Sequence, residues 1–159
     1  MKMYIEIFLL IIAIIILGYL FFYSADILFA PSTNQNSDNQ VCFGSNCFYV
    51  TLAKTNAEKE RGLMFIEYLD EGNGMFFIFD KDGNHPFWMK NTLIPLDIIW
   101  INNDGKVVFI SENSQPCKEN FCSPIYPNAN AKYVLEINAG ISKKIGIKIG
   151  DKADIKIRR

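Results

Sequence analysis

The chain has 159 residues, half of them hydrophobic, with 16 Lys and Arg residues against 17 Asp and Glu residues. This length accommodates one ordinary domain and a short appendage. The segment from Val41 to Arg159 carries 15 basic and 14 acidic residues, so it lacks the basic excess that neutralises phosphates, which argues against nucleic acid as a partner.

The N-terminal segment is strongly apolar. Residues 7–22 (IFLLIIAIIILGYLFF) form an unbroken apolar run, which flanking tyrosine and isoleucine residues extend to about 20 residues. As a helix this run is ~30 Å long, the thickness of the hydrocarbon core of a lipid bilayer. We therefore predict a single-pass membrane anchor over residues 1–23. Lys2 precedes the run and no Lys or Arg follows it before Lys54, which predicts a cytoplasmic N-terminus and a domain outside the cytoplasmic membrane.

A cleaved signal peptide is the alternative interpretation of this segment. Its apolar region would be unusually long, and Tyr23-Ser24-Ala25 matches a small-x-small cleavage site poorly. Both interpretations place the following domain outside the membrane. Residues 24–40 come next, and their last ten residues, PSTNQNSDNQ, offer nothing to bury. We predict that they form a flexible polar tether.

Four cysteines follow in the domain that we predict over residues 41–159, as two C-x4-C pairs: Cys42, Cys47, Cys117 and Cys122. An even count in a small extracytoplasmic domain favours disulfides. Local pairing of each C-x4-C is preferred because each pair flanks a short, turn-rich loop, although cross-pairing would close longer loops and stabilise more. A zinc site of four thiolates is the rival hypothesis, but such sites belong mainly to reducing compartments.

The domain itself shows the pattern of a mainly β fold. The capping box Thr55-Asn56-Ala57-Glu58 predicts a short helix to about Met64, and Asn102-Asn103-Asp104-Gly105 predicts a hairpin turn. No βαβ pattern is evident, and residues 114–130 form a long loop. This organisation predicts an antiparallel or mixed β-barrel or sandwich with one or two short helices. Seven short strands are predicted from alternation and β-branched or aromatic content, at 47–54, 75–79, 87–91, 96–101, 106–111, 133–137 and 153–157.

The domain also contains several blocks of distinctive sequence. They are ERGLMF (60–65), GMFFIF (74–79), FWMKNTLIPLDIIWI (87–101), PCKENFCSPIY (116–126), YVLEINAG (133–140) and IGIKIGD (145–151). Together they resemble the family called domain of unknown function 192, also known as uncharacterised protein family 0127, over about residues 48–157. The resemblance implies a small β-barrel-like domain of a kind that is often secreted or membrane-anchored. It implies no activity.

Familiar catalytic motifs are missing from the sequence. It has no G-x-S-x-G, P-loop, G-x-G-x-x-G or H-E-x-x-H, and we predict no cofactor. The one histidine, His85, excludes a His-rich metal site. Because His85 stands beside Pro86 in a polar stretch, we expect an exposed loop residue there rather than part of a catalytic set.

The most informative stretch is 87–97. Extended backbone would place Trp88 and Lys90 on one face. A lysine in a largely apolar run needs a partner or a function, because an unpaired buried ammonium is costly. Asp97 and Glu136 lie in similarly apolar strands, and either of them is a candidate partner for Lys90 or for Arg61.

Two interpretations of these residues remain open. The first is a buried ion pair that fixes strand register, with Trp88 as core packing. The second is a ligand pocket at the mouth of a barrel, in which Trp88 stacks on a ligand ring and polar groups are held by Arg61, Lys90 and Asn91.

The preferred functional hypothesis is a non-enzymatic extracytoplasmic binding module for a small polar or saccharide-like ligand, anchored in the lipid bilayer. One alternative is a hydrolase or transferase that uses Asp97 or Glu136 as base and Lys90 or Arg61 as electrostatic stabiliser. Another is a protein-docking scaffold of the cell envelope, in which an exposed edge strand accepts a partner's strand.

Overall fold

The computed structural model describes residues 39–119 and 121–158 of the chain. From the N-terminal segment it describes only five helical, exposed residues: Glu6, Ile7, Ile12, Ile15 and Ile16. The rest of the predicted anchor over residues 1–23, and residues 24–38 of the predicted tether, lie outside the described residues. Within the part of the chain that is described, there is no helix with the length and apolar character that crossing a membrane requires.

The described part of the chain forms one seven-stranded sheet with two short helices. The sheet order is β5-β4-β6-β3-β2-β1-β7. Neighbouring strands are antiparallel except for β2 and β3, which are parallel. The strands are β1 (Gln40–Phe43), β2 (Asn46–Ala53), β3 (Asn73–Gly83), β4 (Leu96–Ile101), β5 (Val107–Ser114), β6 (Ala131–Asn138) and β7 (Asp154–Lys156), and the helices are α1 (Asn56–Arg61) and α2 (Ile141–Ile145).

The sheet curls into a half-barrel, so the predicted mainly β fold is confirmed. At one end of the curl, the segment before β7 reaches the beginning of β5, although these strands stand at opposite ends of the sheet order. The Gly150 amide donates to the carbonyl of Val107 at 2.8 Å, and the Val107 amide donates to the carbonyl of Asp151 at 2.9 Å. These bonds satisfy backbone groups that an open edge would expose.

The central strands β3, β4 and β6 pack on both faces of the sheet, although Asp97 and Glu136 interrupt the apolar sequence of two of them. Every residue of β4 is buried. Alternate residues enter two separate clusters, with Ile99 and Leu135 in one and Trp100 and Val134 in the other. The second cluster is the one that underlies the candidate site.

Helix α1 begins at the predicted capping box. Thr55 Oγ1 accepts from the Glu58 amide at 3.2 Å, and Glu58 Oε2 accepts from the Thr55 amide at 2.8 Å. The helix ends at Arg61, earlier than the predicted Met64, because Gly62 takes a positive φ of 47°. Helix α1 lies in the crossover between the parallel strands β2 and β3, so the sequence interpretation without a βαβ unit was wrong.

The prediction of a strand at residues 87–91 was also wrong. The segment is extended, but it makes only isolated bridges with the long loop that follows β5, Phe87 with Ile125 and Lys90 with Cys117. Strand β1, which begins at Gln40 inside the predicted tether, and helix α2 have no counterpart in the sequence-based predictions. The structure confirms local cysteine pairing, with disulfides Cys42–Cys47 and Cys117–Cys122.

Candidate functional site

An open groove lies where helix α1, strand β3 and the extended segment 87–91 meet. Its volume is ≈ 370 Å³. The groove, which we call the aromatic groove, is lined by Lys59, Glu60, Phe79, Pro86, Phe87, Trp88 and Pro124. Three aromatic rings and two prolines make most of this surface apolar, which is the usual character of a site for a small organic ligand.

The extended segment presents Trp88 to the groove by simple alternation. Phe87 and Met89 are buried, whereas Trp88 is 38% exposed. The backbone on either side is fixed by residues 115–130, the loop between β5 and β6 that contains the Cys117–Cys122 disulfide and that we call the disulfide loop. The Phe87 amide donates to the Ile125 carbonyl at 3.0 Å, and the Cys117 amide donates to the Met89 carbonyl at 3.0 Å. Trp88 is therefore an exposed ring on a backbone whose neighbours are anchored in the core.

Two lysines lie against aromatic rings at this site. Lys90 Nζ is 5.2 Å from the centroid of the Trp88 ring, and Lys59 Nζ is 4.9 Å from the centroid of Phe79. Both distances are within cation–π range. The groove therefore combines an apolar floor with positive charge at its rim.

A smaller pocket adjoins the aromatic groove. Its volume is ≈ 20 Å³, enough for one water-sized group. This inner pocket shares Lys59, Glu60, Phe87 and Trp88 with the groove. Its remaining lining residues are Arg61, Gly62, Leu63, Met64, Phe77, Lys90, Thr92 and Glu136.

Glu136 forms the buried acidic wall of the inner pocket. The residue is only 4% exposed, and its Oε2 atom has no hydrogen-bond partner among the described residues. Burial raises the pKa of the Glu136 carboxyl to about 8, because desolvation disfavours the charged form. At neutral pH the group is therefore mainly a protonated acid that is able to donate a hydrogen bond.

Gly62 lies next to this carboxyl. A Cβ atom at Gly62 would lie 3.7 Å from Glu136 Oε2 and 3.4 Å from the Phe77 ring, and the φ of 47° is one that other residues adopt rarely. Because both distances are ordinary contacts, the positive φ that ends helix α1, rather than a lack of space, favours glycine at this position.

Asp97 lies on the opposite face of the sheet from Glu136. In the register of β4 and β6, Glu136 is paired with Ile98, whereas Asp97 is paired with Ile137. Since successive side chains alternate between faces, the two carboxyls do not face one cavity. Asp97 instead accepts hydrogen bonds from the Asn113 amide at 2.8 Å and from the amide and hydroxyl of Ser142 at 2.9 and 2.7 Å.

Asn91 also has a backbone role and lines neither the groove nor the inner pocket. Its φ is 54°, a conformation that asparagine tolerates better than most residues. Its amide donates to the Cys117 carbonyl at 3.0 Å, and its carbonyl accepts from the Phe65 amide at 2.9 Å. Of the six candidate residues from the sequence, the structure thus brings together Arg61, Trp88, Lys90 and Glu136.

A family profile matches most of this domain. The profile of DUF192, described as "Uncharacterized ACR, COG1430", matches residues 39–155. The chain belongs to the DUF192 family. The resemblance inferred from the sequence blocks is therefore confirmed. Among curated proteins, none matches the chain.

Two solved structures are similar to this DUF192 domain. A protein of unknown function from Novosphingobium aromaticivorans is 35% identical, with 79% of this chain and 89% of that chain covered and a TM-score of 0.70. A candidate transcription regulator from Sinorhizobium meliloti is 33% identical, with 74% of this chain and 91% of that chain covered and a TM-score of 0.67. Both comparisons support the half-barrel fold.

Sequence reasoning missed several residues of the DUF192 groove, notably Lys59, Phe79 and Pro124. Phe79 ends the apolar run of β3. It is two residues from Phe77 in the same strand, so both side chains lie on the same face of the sheet. The position of Phe79 was therefore predictable once the face of Phe77 was known. The Phe79 ring stacks on His85 at 3.6 Å between centroids. The carbonyl of His85 in turn accepts from Trp100 Nε1 at 2.8 Å, so His85 supports the groove from its half-buried position.

The rest of the DUF192 domain offers a second concavity but no metal-binding cluster among the described residues. Within the described residues, no group of three or more His, Cys, Asp or Glu side chains is arranged to hold a metal ion. A second concavity of ≈ 530 Å³ borders the 102–105 turn and β7. In it, Lys152 Nζ donates to the carbonyl of Asp104. None of the six candidate residues from the sequence lines this concavity.

Proposed function

We propose that this domain is a non-enzymatic binding module for a small polar, ring-containing ligand such as a saccharide. The observation that carries the proposal is the exposed Trp88 ring in an aromatic groove of ≈ 370 Å³. An aromatic face is a flat apolar surface on which a ligand ring can stack. The neighbouring Lys59, Arg61 and Lys90 supply donors for the polar groups of the same ligand.

The fixed backbone around Trp88 supports binding without a large ordering cost. Phe87 and Met89 on either side are buried, and their backbone groups are bonded to the disulfide loop. A ring that is already positioned loses little conformational freedom when a ligand stacks on it. The groove is therefore suited to recognition in the conformation that the structure has.

The carboxylate arrangement weighs against the hydrolase or transferase alternative. That alternative uses Asp97 or Glu136 as base, and these residues lie on opposite faces of the sheet, so they do not work as a pair in one cavity. Asp97 also has its oxygens occupied by Asn113 and Ser142. The inner pocket has no histidine among its lining residues, and its second acid, Glu60, is exposed on helix α1, so Glu136 lacks the positioned partner that general acid–base catalysis uses.

The edge of the sheet weighs against strand addition by a protein partner. Of the two terminal strands, β7 has three residues, of which Asp154 and Lys156 are charged and exposed, and β5 is bonded at Val107 to the segment before β7. Short, charged edge strands resist pairing with another chain. The near-neutral domain likewise gives little support to nucleic-acid binding, which the name of the S. meliloti relative raises.

We further propose that the domain works outside the cytoplasmic membrane, attached through the helix predicted over residues 1–23. The two disulfides support an oxidising compartment. A protease-protection assay on spheroplasts tests this location of the domain. Loss of the C-terminal domain on adding protease outside intact spheroplasts is the expected result, and full protection of the domain would contradict it.

Tryptophan fluorescence tests the binding proposal. The chain has two tryptophans, and Trp100 is fully buried whereas Trp88 is 38% exposed. A ligand in the groove should therefore change the emission of Trp88 and leave that of Trp100 unchanged. The full-length chain in detergent is titrated with glucose, N-acetylglucosamine and soluble envelope glycan fragments.

The matched variants are Trp88→Phe and Trp100→Phe. We expect a saturable emission change in the wild type that Trp100→Phe retains and Trp88→Phe abolishes. If no saccharide at any soluble concentration changes the Trp88 emission, the proposed ligand class is wrong.

A further inference from the structure

The inner pocket contains a polar atom with no partner. Glu136 lines a pocket of ≈ 20 Å³, and its buried Oε2 atom makes no hydrogen bond to any described residue. A buried polar group without a partner destabilises the protein, so its retention calls for a specific explanation. The pocket is large enough for one oxygen-sized group and adjoins the aromatic groove, where a ligand ring is proposed to lie.

The charge around this pocket selects the kind of group that fits. The other charged side chains that line it are Lys59, Glu60 and Arg61 of helix α1 and Lys90 of the extended segment. Three are cations and one, Glu60, is an acid; Glu60 and Arg61 are both exposed, whereas Lys59 and Lys90 are half-buried, so the set has a positive balance. An ammonium or metal ligand would be repelled by this set, whereas an oxyanion would be attracted.

We infer that the inner pocket accepts one oxygen of an anionic group on the ligand, a carboxylate or a phosphate, to which the Glu136 carboxyl donates a hydrogen bond while Arg61 and Lys90 supply positive charge. The inference rests on the proposed binding function, because it names the chemical group of the ligand that would enter the inner pocket beside the aromatic groove. The ligand class becomes an acidic saccharide or a similar ring compound with an oxyanion.

The protonation of Glu136 makes this inference measurable. Burial raises the pKa of the carboxyl to about 8, so the Glu136 proton that donates the hydrogen bond is present at neutral pH and is lost above about pH 8. An oxyanion that binds only the protonated form must in turn raise that pKa further, since the two equilibria are linked. An anion at about ten times its Kd should raise the midpoint by about one pH unit.

The experiment follows the ¹³C signal of the Glu136 carboxyl by NMR from about pH 5.5 to about pH 9.5. The full-length chain in detergent is titrated with sodium sulfate or sodium acetate, each compared with sodium chloride at the same ionic strength. We expect an upward shift of the midpoint. A shift with sulfate alone identifies a tetrahedral oxyanion, and one with acetate alone identifies a carboxylate. A midpoint that neither anion moves would overturn the inference.

Variants separate recognition from a structural role. Glu136→Gln keeps a hydrogen-bond donor at every pH, so the affinity of this variant for glucuronate should not change between neutral and alkaline pH. The wild-type affinity should fall about tenfold per pH unit above about pH 8. Arg61→Gln should weaken glucuronate binding about tenfold at all pH values. The control Glu112→Gln removes an exposed acid that lines neither pocket and should keep the wild-type pH profile.

The two proposals fail in different ways. If neutral glucose changes Trp88 emission but glucuronate and glucose 6-phosphate bind no more tightly, the oxyanion inference is wrong and the binding proposal stands. If the anions move the Glu136 midpoint while no saccharide changes Trp88 emission, the inner pocket is an oxyanion site and the proposed saccharide ligand is wrong.

Discussion

The Nζ atom of Lys90 lies 5.2 Å from the centroid of the Trp88 ring, and among the described residues no acidic side chain forms an ion pair with it. The sequence left open whether Lys90 is half of a structural ion pair or part of a ligand pocket. The observed contact favours the pocket, because the ammonium lies beside an exposed ring in the lining of the inner pocket.

Replacing Lys90 should therefore affect stability little. Lys90→Ala removes a cation–π contact that contributes about 1 kcal/mol or less at an exposed site. We expect the free energy of unfolding, measured by urea denaturation, to change by less than about 1 kcal/mol.

The matched comparison is Asp97→Ala. This change leaves the amides of Asn113 and Ser142 without their buried acceptor, which should cost about 3 kcal/mol. If Lys90→Ala were as destabilising as Asp97→Ala, Lys90 would be a structural residue and the pocket interpretation would fail.

Glu136 should make the stability of the domain depend on pH. Its pKa is raised by burial from an ordinary 4.5 to about 8, so the folded state holds a proton that the unfolded state has lost between these values. The bound proton's contribution to the free energy of unfolding is full below about pH 4.5. It declines by about 1.4 kcal/mol per pH unit as pH rises towards about 8. Above about pH 8 the carboxyl is ionised in both states and the decline stops.

Urea denaturation of the wild type and Glu136→Gln at a series of pH values measures this effect. Other titrating groups are common to both proteins, so the difference between the two free energies of unfolding isolates Glu136. We expect the free energy of unfolding of Glu136→Gln to rise steadily relative to that of the wild type from about pH 5 to about pH 8. A difference that is constant with pH would show that Glu136 ionises normally in the folded protein.

Gly74 lies where the backbones of β3 and β6 come too close together for a side chain at this position. A Cβ atom at this position would lie 2.6 Å from the carbonyl oxygen of Glu136 on the neighbouring strand. We expect Gly74→Ala to destabilise the domain by about 2 kcal/mol, since the two strands must separate to admit the methyl group. Gly72→Ala in the preceding turn is the control, because a Cβ there meets nothing within 4 Å. Similar melting temperatures for the two variants would contradict this account.

The Cys117–Cys122 disulfide should hold the Trp88 segment in place. Cys117 supplies the backbone partners of Met89 and Asn91, and Ile125, three residues after Cys122, supplies those of Phe87. A double Cys→Ser variant at 117 and 122 should lose about 2 kcal/mol of stability and should accelerate amide hydrogen exchange at Phe87 and Asn91.

The double Cys→Ser variant at 42 and 47 serves as the control. This disulfide joins paired residues of β1 and β2, so its removal should accelerate exchange in that hairpin and leave the amides of Phe87 and Asn91 protected. Equal acceleration at Phe87 and Asn91 in both variants would show that the effect is global.

Local signals in the sequence predicted the elements that local interactions define. The capping box placed the beginning of α1, and the turn at residues 102–105 placed the end of β4 at Ile101. Strand β1 was missed although it forms a local hairpin with β2, because it has only four residues and begins inside the predicted tether; its other partner, β7, lies more than 100 residues away in the chain. Helix α2 has five residues and begins after Gly140 without a side-chain cap, so it too was not predictable.

The candidate site was predictable in part for a related reason. A charge within an apolar run indicates an unusual environment, and this criterion found Lys90, Glu136 and Asp97. It does not say which face of the sheet the charge occupies. The pairing of Ile98 with Glu136 settles that question, and register is a property of two distant strands.

The pairing of β1 with β7 has a consequence for biosynthesis. Strand β1 is synthesised early and β7 last, and Asn39 Oδ1 accepts from the Arg158 amide at 2.9 Å, so the two ends of the domain meet only after nearly all of it has emerged. Until then the outer edge of β1 has no partner within its own chain. The nascent domain therefore exposes an unpaired strand throughout synthesis, and holdase chaperones that cover such edges should raise its yield.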